Sequence, residues 1–380
     1  MKFLHTSDWH LGISEGVRSL IEDQIYFVDQ ICGIVEEENV DAVIIAGDIY
    51  DRAVVNPEAI KLYDRAMTRL CLELGKQVIV IAGNHDSAER LSSCSDLLGQ
   101  AGLHVLGAAE NEPRVVEFDD TQVFMLPWIT EEKIKSIYPE EKDDVNSLTD
   151  AYRIACDHMR SIFKEGKRHI VAAHAFITRA ETSTSDRAAE IGLATQVGAE
   201  VFDGFDYVAL GHIHKPQDVT DTVRYSGTPM PYSFGREEKQ EKSVTVIDTG
   251  DMSRKVIPLD LLHPRTTITG TLEEVLHPEV DERIRTGYVC LKITDDYVGT
   301  ESIDLLKKIY PYPLEISGKS FNTDMGSGNM TMDEFKEMES DPVEIFKMFC
   351  QEKAGIEEPD ERLIALFRES MDAYYKEAGE

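Results

Sequence analysis

The sequence has no apolar run that could cross a membrane, and its cysteines do not occur in pairs. Its longest apolar stretches, such as VDAVIIAG, are far shorter than a membrane helix, and the first residues lack the apolar centre of a signal peptide. No CxxC pair occurs, which argues against a disulfide framework and a cysteine zinc site. We therefore expect a cytoplasmic protein with no membrane contact and six free core thiols: Cys32, Cys71, Cys94, Cys156, Cys290 and Cys350.

Basic residues are scarce. The chain has 39 Lys and Arg against 71 Asp and Glu, a net charge of −32. Because phosphate contacts need Lys and Arg, the composition by itself opposes nucleic-acid binding. With 42% hydrophobic residues and no long Ser, Gly or Gln tract, the 380 residues are expected to fold into two or three globular domains.

Short apolar strands that end in polar residues alternate with helices over roughly the first 250 residues. KFLHTSD, DAVIIAGD and QVIVIAGNHD precede helical stretches near residues 18–38, 57–74 and 87–99, and RHIVAAHAF and YVALGHIH have the same strand form. This alternation predicts an α/β fold with a largely parallel sheet in this part. Ligands of such sheets bind beyond the carboxyl ends of the strands, so we expect the site there.

Five of these strand ends carry residues that bind metals. In SDWH, Asp8 and His10 stand two positions apart, and alternate side chains of a strand point to the same side. The other strand ends supply Asp48, Asp51, Asn84, His85, His174, His212 and His214. Each alone is more often a cap, a turn or a solvated residue, but the set predicts a metal centre. GNHDSAER could open a helix with Asp86 or Ser87 as its cap, so we leave Asp86 out of the site.

Oxygen and imidazole donors without thiolate favour Mn, Fe or Zn, and two such ions suit phosphoester hydrolysis. The blocks DWH, GDIYD, GNHD, AAHAF and GHIH resemble the calcineurin-like metallophosphoesterases. HTSDWHLG, AGDIYDRAVVNPEA, FDYVALGHIHKPQ, and RYSGTPMPYSF followed by KSVTVID are similar to the SbcD-like nucleases of that family. The resemblance implies an α/β sandwich of two mixed β-sheets flanked by helices, with a small α/β capping domain and a C-terminal helical segment. It also implies two divalent ions, preferably Mn²⁺, with Mg²⁺, Fe²⁺ or Zn²⁺ as alternatives.

Site roles follow from the same resemblance, residue by residue. It implies two ligand groups that share a bridging Asp48: Asp8, His10, Asp48 and His214 for one ion, and Asp48, Asn84, His174 and His212 for the other. It leaves His85 as the imidazole that protonates the leaving oxygen. Asp51 is then the carboxylate that orients His85, or alternatively a residue that only forms a turn or caps a helix.

We predict four segments along the chain: a nuclease domain at 1–262, a capping domain that helps to seat DNA at 263–317, a linker at 318–330 and a helical segment at 331–380. Two apolar stripes recur at helical spacing in the last segment: Val343, Phe346 and Phe349 or Cys350, and Ile364, Phe367, Met371 and Tyr374. The stripes either fold back as a helical hairpin or bury against another protein. The resemblance implies an SbcC-type SMC-like ATPase as that partner.

The resemblance implies a DNA exonuclease and endonuclease acting on ends, hairpins or single strands. It implies a homodimer of this chain within a heterotetramer, joined through the helices near 57–74 and 87–99. ATP would be used by the partner, because no GxxxxGK[ST] loop occurs here. Two other functions stay open: a metallophosphatase or cyclic-nucleotide phosphodiesterase acting on a small ester, and a scaffold. A small ester gives no evident use for the capping domain or the helical tail, and a scaffold of this kind loses ligands, whereas all seven are present.

Overall fold

A computed structural model describes residues 1–15, 18–186, 196–277, 280–295, 300–318, 346 and 362–368. The strands are β1 Lys2–Thr6, β2 Ser14–Glu15, β3 Arg18–Ser19, β4 Ala42–Ala46, β5 Gln77–Ile81, β6 Leu103–Leu106, β7 Val115–Glu117, β8 Thr121–Leu126, β9 Arg168–His174, β10 Phe176–Ile177, β11 Gln196–Val197, β12 Tyr207–Gly211, β13 Gln217–Asp218, β14 Val223–Tyr225, β15 Ser243–Asp248, β16 Ser253–Pro258, β17 Arg265–Gly270, β18 Tyr288–Ile293 and β19 Pro313–Gly318. The helices are α1 Ile21–Glu37, α2 Pro57–Thr68, α3 Ala88–Leu91, α4 Ser95–Gly99, α5 Glu131–Ile137, α6 Leu148–Arg160, α7 Leu272–Leu276, α8 Glu282–Arg285 and α9 Thr300–Ile309.

Two six-stranded sheets contain the strands that precede the predicted site. The first has the order β16-β15-β1-β4-β5-β6, in which β1, β4, β5 and β6 are parallel and β15 and β16 are antiparallel. The second has the order β13-β14-β12-β9-β8-β7, with a parallel centre and antiparallel edges. Both sheets are therefore mixed.

Alternate residues of the central strands face two different cores. In β4, Val43 and Ile45 pack toward α1 and α2, whereas Ile44 packs in a cluster that includes Ile170 and Ala209 of the second sheet. The outer face of the second sheet is covered by α5 and α6. Burial on both faces explains why these strands read as continuous apolar runs. The predicted sandwich of two mixed sheets flanked by helices is confirmed.

Local sequence signals set the helix starts. Asn56 caps α2 by accepting a hydrogen bond from the Ala59 N–H at 2.8 Å, and Pro57 occupies the first helical position. α2 continues as a π-helical turn over Arg69–Glu73. The predicted helix near 87–99 is instead two short helices, α3 and α4, with Cys94 between them in a left-handed conformation at φ 60°.

The chain divides into two compact units: Met1–Ile268 with Glu279–Cys290 and Ile309–Glu315, and Thr269–Pro278 with Leu291–Lys308 and Ile316–Glu380. β17, β18 and β19 form a three-stranded sheet in that order. The four-segment division stays a prediction. The predicted linker at 318–330 starts at Gly318, which is the last residue of β19, and residues 319–330 lie outside the described residues. So does most of the C-terminal helical segment, including Val343, Phe349, Cys350, Met371 and Tyr374.

One contact joins the two predicted C-terminal stripes. The rings of Phe346 and Phe367 stack with centroids 4.2 Å apart and planes 5° apart, and residues 362–368 are helical. Cys32, Cys71 and Cys156 are buried free thiols as expected, but Cys94 is exposed, so its assignment to the core was wrong. Across the described ranges, no helix is both long enough and apolar enough to span a membrane.

Candidate metal centre

The carboxyl ends of five parallel strands, three from the first sheet and two from the second, deliver the predicted residues to one place. Asp8 and His10 follow β1. Asp48 and Asp51 follow β4, and Asn84 and His85 follow β5. His174 ends β9, and His212 and His214 follow β12. Six of the predicted residues line a cavity of about 180 Å³: His10, Asp48, Asp51, His85, His212 and His214.

One group of ligand atoms gathers around His10. Donor atoms of Asp8, His10 and His214 all lie within 4.8 Å of one another. The Nε2 atoms of His10 and His214 are 3.1 Å apart, and His10 Nε2 is 3.8 Å from Asp48 Oδ2. The arrangement brings together the four residues that were predicted to hold one ion.

A second group gathers around His174. Its Nε2 lies 3.5 Å from Asp48 Oδ2 and 3.0 Å from Asn84 Oδ1. The same Asn84 oxygen lies 3.0 Å from His212 Nδ1. Donor atoms of Asp8, Asp48 and His174 also fall within 4.8 Å of one another. Asp48 contacts both groups, as a bridging carboxylate would.

The turn that carries Asp8 and His10 is not a strand. β1 ends at Thr6, and Asp8 and His10 have φ values of 52° and 43°. Their side chains converge because of these left-handed residues, so the alternation of a strand was the wrong reason for a correct expectation. Hydrogen bonds from Asp8 N to Gly47 O and from His10 N to Asp48 O, both 3.0 Å, offset a cost of about 1–2 kcal/mol per left-handed residue.

Burial and neighbouring charge control protonation in the centre. Burial lowers the pKa of both His10 and His214 to about 3, so both imidazoles are neutral at pH 7, as ligands must be. Burial raises the pKa of the Asp8 carboxyl to about 7. Burial also opposes the charge of Asp48, but His174 beside it holds the pKa of Asp48 well below its usual value.

This donor set fits divalent metal ions. Burial would lower the pKa of His174, but the charges of Asp48 and Asp8 outweigh it and raise this pKa to about 9. Bound cations would therefore displace the protons that Asp8 and His174 otherwise hold. Oxygen and nitrogen donors without sulfur suit Mn, Fe or Zn. The far sides of two ligand imidazoles are also held, whereas the buried Nδ1 of His10 has no hydrogen-bond partner among the described residues. His174 Nδ1 is 2.9 Å from Ala46 O, and Ser185 Oγ is 2.6 Å from His214 Nδ1. Contacts of this kind orient ligand imidazoles toward a metal.

His85 and Asp51 are in contact, but not as predicted. His85 Nδ1 lies 2.8 Å from the main-chain oxygen of Asp51, whereas the Asp51 carboxylate pairs with Arg52 Nε at 3.1 Å. The carbonyl can only accept, so it fixes the proton on Nδ1 and turns Nε2 inward, 3.9 Å from Asp48 Oδ2. The predicted contact between the Asp51 carboxylate and this ring nitrogen is therefore replaced by a main-chain contact.

Asp86 joins two of the site loops. Its carboxylate accepts hydrogen bonds from the N–H groups of Ile49, Tyr50 and Gly83 at 3.1, 3.0 and 2.9 Å. Of the two predicted caps, Ser87 occupies the N-cap position of α3, which starts at Ala88, and Asp86 does not. It ties GDIYD to GNHD and thereby fixes the spacing of Asp48 and His85.

Two aromatic side chains of the site were missed from the sequence. The Trp128 ring stacks on His212 with centroids 5.2 Å apart and an angle of 25°. The Tyr232 ring meets His10 edge-on with centroids 5.6 Å apart. Trp128 follows β8 by two residues, so the strand-end rule applied to LPW would have found it. Tyr232 follows no strand directly and gave no such signal.

Comparison with known proteins now identifies the family. The sequence profile of the calcineurin-like phosphoesterases matches residues 1–216. The chain belongs to this family. A curated relative from Staphylococcus epidermidis, named as the SbcD subunit of the SbcCD nuclease, is 32% identical over 326 residues, which are 85% of this chain and 86% of the relative. A crystal structure of a dimetal phosphatase from Danio rerio is 14% identical and covers 68% of this chain and 99% of its own, with a TM-score of 0.37.

The predicted resemblance to SbcD-like nucleases and the predicted class of enzyme, a metal-dependent phosphoesterase, are confirmed by the family and the curated relative. The family fold and the clustered donors imply bound divalent metal ions. The roles of individual residues and the identity of the metal stay predictions.

Proposed function

We propose that this chain is the DNA nuclease subunit of an SbcCD-like complex and cuts phosphodiester bonds in DNA ends, hairpins or single strands. The observation that carries the proposal is the match over 85% of the chain to a protein named as a nuclease subunit. The gathering of the seven predicted ligands in one place, with four of them lining the cavity, supports it, because a scaffold has no need to retain them.

In this proposal Asp8, His10, Asp48 and His214 hold one ion, and Asp48, Asn84, His174 and His212 hold the other. When bound, two Mn²⁺-type ions polarise the phosphodiester and activate water for attack on phosphorus. His85 acts as the general acid. Its Nδ1–H is held by the Asp51 carbonyl, so a proton carried on Nε2 points into the cavity for transfer to the leaving sugar oxygen.

The proposed partner is an SbcC-type SMC-like ATPase that binds the C-terminal helices and consumes ATP. The word subunit in the relative's name supports an assembly of this kind. We further propose a homodimer of this chain within a heterotetramer. Exposed apolar side chains on and beside the predicted interface helices support it: Val54, Ile60 and Leu97 are 79%, 50% and 71% exposed. Buried free thiols such as Cys32 suit the reducing cytoplasm, where we place the protein.

A second candidate function is hydrolysis of a small phosphoester. The observation behind this alternative is the cavity volume of about 180 Å³. A cavity of this size accepts a small ester as readily as one nucleotide of a strand. The two functions share the metal centre and differ only in substrate, so fold and ligands do not separate them.

The test is Mn²⁺-dependent digestion of end-labelled linear duplex, with and without the SbcC-type ATPase and ATP. A small phosphodiester, bis(p-nitrophenyl) phosphate, is assayed in parallel. Native chain is compared with His85→Ala, and the matched control is His277→Ala, which removes an exposed histidine. We expect DNA degradation, a loss of about 10²–10⁴-fold in His85→Ala with bound metal retained, and full activity in the control.

Intact DNA under every condition, together with hydrolysis of the small ester, would replace the nuclease proposal by the second candidate. A chain that binds well under two ions and hydrolyses neither substrate would instead support a scaffold. If His85→Ala loses metal as well as activity, His85 is a ligand and not the acid.

A further inference from the structure

Glu237 and Lys242 form an ion pair with no solvent exposure at all. Lys242 Nζ lies 2.8 Å from Glu237 Oε1, and both side chains are 0% exposed. Taking two charges out of water costs several kcal/mol per ion, and an apolar pair of similar volume is often as stable or more stable. The pair therefore requires an explanation other than stability, and the phosphoester chemistry assigned above does not use it.

The ammonium group of Lys242 bonds directly to the backbone of a predicted ligand. Nζ donates to the main-chain oxygen of His214 at 3.0 Å and to Thr228 Oγ1 at 2.7 Å. The Thr228 N–H donates to the same His214 oxygen at 3.2 Å. The Thr228 hydroxyl lies 3.4 Å from this oxygen as well, so the His214 carbonyl accepts from three donors, all on residues that follow it by at least 14 positions.

Glu237 fixes the position of that ammonium group and reaches the cavity wall. Its other carboxylate oxygen accepts a hydrogen bond from Ser233 Oγ at 2.7 Å, and Ser233 lines the cavity with His214. Burial alone would raise the pKa of Glu237, but the charge of Lys242 outweighs it and brings this pKa to about 2. Glu237 is accordingly a carboxylate at pH 7 and Lys242 is its counter-ion.

The turn that contains Thr228 also packs tightly against His214. Gly227 has φ 73°, and a Cβ at this position would lie 2.7 Å from the His214 oxygen. Thr228 and Ser233 belong to RYSGTPMPYSF and Lys242 opens KSVTVID, two stretches that have no ligand of their own. Both stretches thus act on one residue of the metal centre.

The other ligand group is held differently. The His174 ring is fixed by its contact with Ala46 O at 2.9 Å, and His212 is fixed through its N–H, which donates to Asp8 Oδ1 at 2.9 Å. Neither contact involves the segment 226–242. An effect of the ion pair on metal binding should therefore be confined to the side of the centre that contains His214.

We infer that the Glu237–Lys242 pair is a positioning clamp for His214 and sets the affinity of the ion that Asp8, His10 and His214 hold. This inference rests on the proposed function, because it takes His214 as a ligand. Replacement of the pair should weaken one ion and spare the other. Stability should change little, since Met and Gln fill the same space without charge.

The test measures Mn²⁺ binding to the metal-free full chain by titration calorimetry, with the melting temperature recorded for each protein. The variant is Glu237→Gln with Lys242→Met. The matched control is Glu117→Gln with Lys167→Met, a partly exposed pair at 2.8 Å for which no contact with a site residue occurs among the described residues. We expect the dissociation constant of one ion to rise about 10–100-fold in the variant, and neither constant to change in the control.

Thr228→Val provides a milder change should the double variant fail to fold. It removes the hydroxyl that accepts a hydrogen bond from Lys242 and lies 3.4 Å from the His214 oxygen, but it keeps the main-chain bond to His214. We expect a smaller rise for the same ion. Two ions in native protein with unchanged constants in both variants would overturn the clamp alone. Equal weakening of both ions would also overturn it, because general loosening would then explain the loss. Fewer than two ions in the native chain would overturn the proposed function itself.

Discussion

Asp51 touches His85 through its main chain, and this changes what its side chain is expected to do. Because the Asp51 carbonyl holds His85 Nδ1 at 2.8 Å, Asp51→Asn should leave the imidazole oriented. We expect the rate of DNA cleavage to fall by less than about 10-fold in Asp51→Asn. The rate should fall much further in His85→Ala, by the factor that is typical for removal of a general acid. Single-turnover cleavage rates of the two variants at one pH make the comparison. An equal loss in both would return the orienting role to the carboxylate.

Gly83 is required by the close approach of Asp48. A Cβ at residue 83 would lie 2.1 Å from Asp48 Oδ1 and 2.5 Å from its main-chain nitrogen, distances at which atoms must move. We expect Gly83→Ala to displace Asp48, to weaken both ions and to lower activity at least 100-fold. The control is Gly33→Ala, where a Cβ meets nothing within 4 Å in α1, and which should raise stability by about 0.5–1 kcal/mol. Calorimetric Mn²⁺ titration measures the ion affinities, and thermal unfolding measures the stability. Full Mn²⁺ binding in Gly83→Ala would show that Asp48 does not need glycine at residue 83.

The identity of the ligands could be predicted from sequence, but their geometry could not. Strand ends with Asp, His and Asn signal a site because parallel strands place their carboxyl ends together. The left-handed φ values of Asp8 and Asp48, 52° and 50°, carry no sequence signal, since only Gly normally adopts them. They depend on contacts made after folding, such as Gln24 Nε2 to His10 O at 2.8 Å.

At the level of elements, continuous apolar runs identified the central strands correctly because both faces are buried. The pairing of β1 with β15 was not predictable in the same way. Their residues lie far apart in sequence, as in the Leu4–Val246 pair, and nothing local specifies such a partner. The predicted single helix near 87–99 was wrong for a local reason, because Cys94 adopts φ 60° and breaks it into α3 and α4.

His5 on β1 joins the two sheets in its neutral form. Its Nδ1 lies 2.9 Å from Tyr207 OH and its Nε2 3.1 Å from Leu210 O, and burial, with Arg224 nearby, lowers its pKa from 6.5 to about 3. The unfolded chain takes up this proton near pH 6.5 and the folded chain does not. The stability contributed by His5 is thus complete above about pH 6.5 and is lost as the pH falls toward 3.

We therefore expect the stability difference between native chain and His5→Gln to shrink as the pH is lowered from 7 to 5. For one proton, the difference in the free energy of unfolding should change by at most about 1.4 kcal/mol per pH unit. Urea unfolding of the metal-free proteins at several pH values measures it, and the difference between the two proteins cancels the titration of the other residues. A difference that stays constant over this range would show that folding leaves the pKa of His5 unchanged, which would contradict the lowering to about 3.

At the scale of the whole molecule, the net charge of −32 has to be reconciled with a DNA substrate. Part of the acidity lies after residue 330, where 15 acidic and 6 basic residues occur in the segment assigned to the partner. Two bound divalent ions would neutralise four further charges at the centre. For the remainder, we expect the proposed ATPase partner to supply most of the phosphate contacts, since affinity for DNA follows the number of neutralised phosphates.

The proposed homodimer can be tested at two exposed apolar side chains of the predicted interface helices. Leu97 on α4 and Ile60 on α2 are 71% and 50% exposed, and large apolar side chains left in water support an association surface on the two predicted interface helices. A glutamate at each position would place four buried charges in a symmetric interface. We expect Leu97→Glu with Ile60→Glu to raise the dimer dissociation constant at least 100-fold, about 2.7 kcal/mol, in sedimentation velocity. Val256→Glu, at a side chain 49% exposed on β16, is the control and should remain dimeric. A double variant that sediments as native dimer would place the interface elsewhere, because four charges cannot be accommodated in an apolar contact without partners.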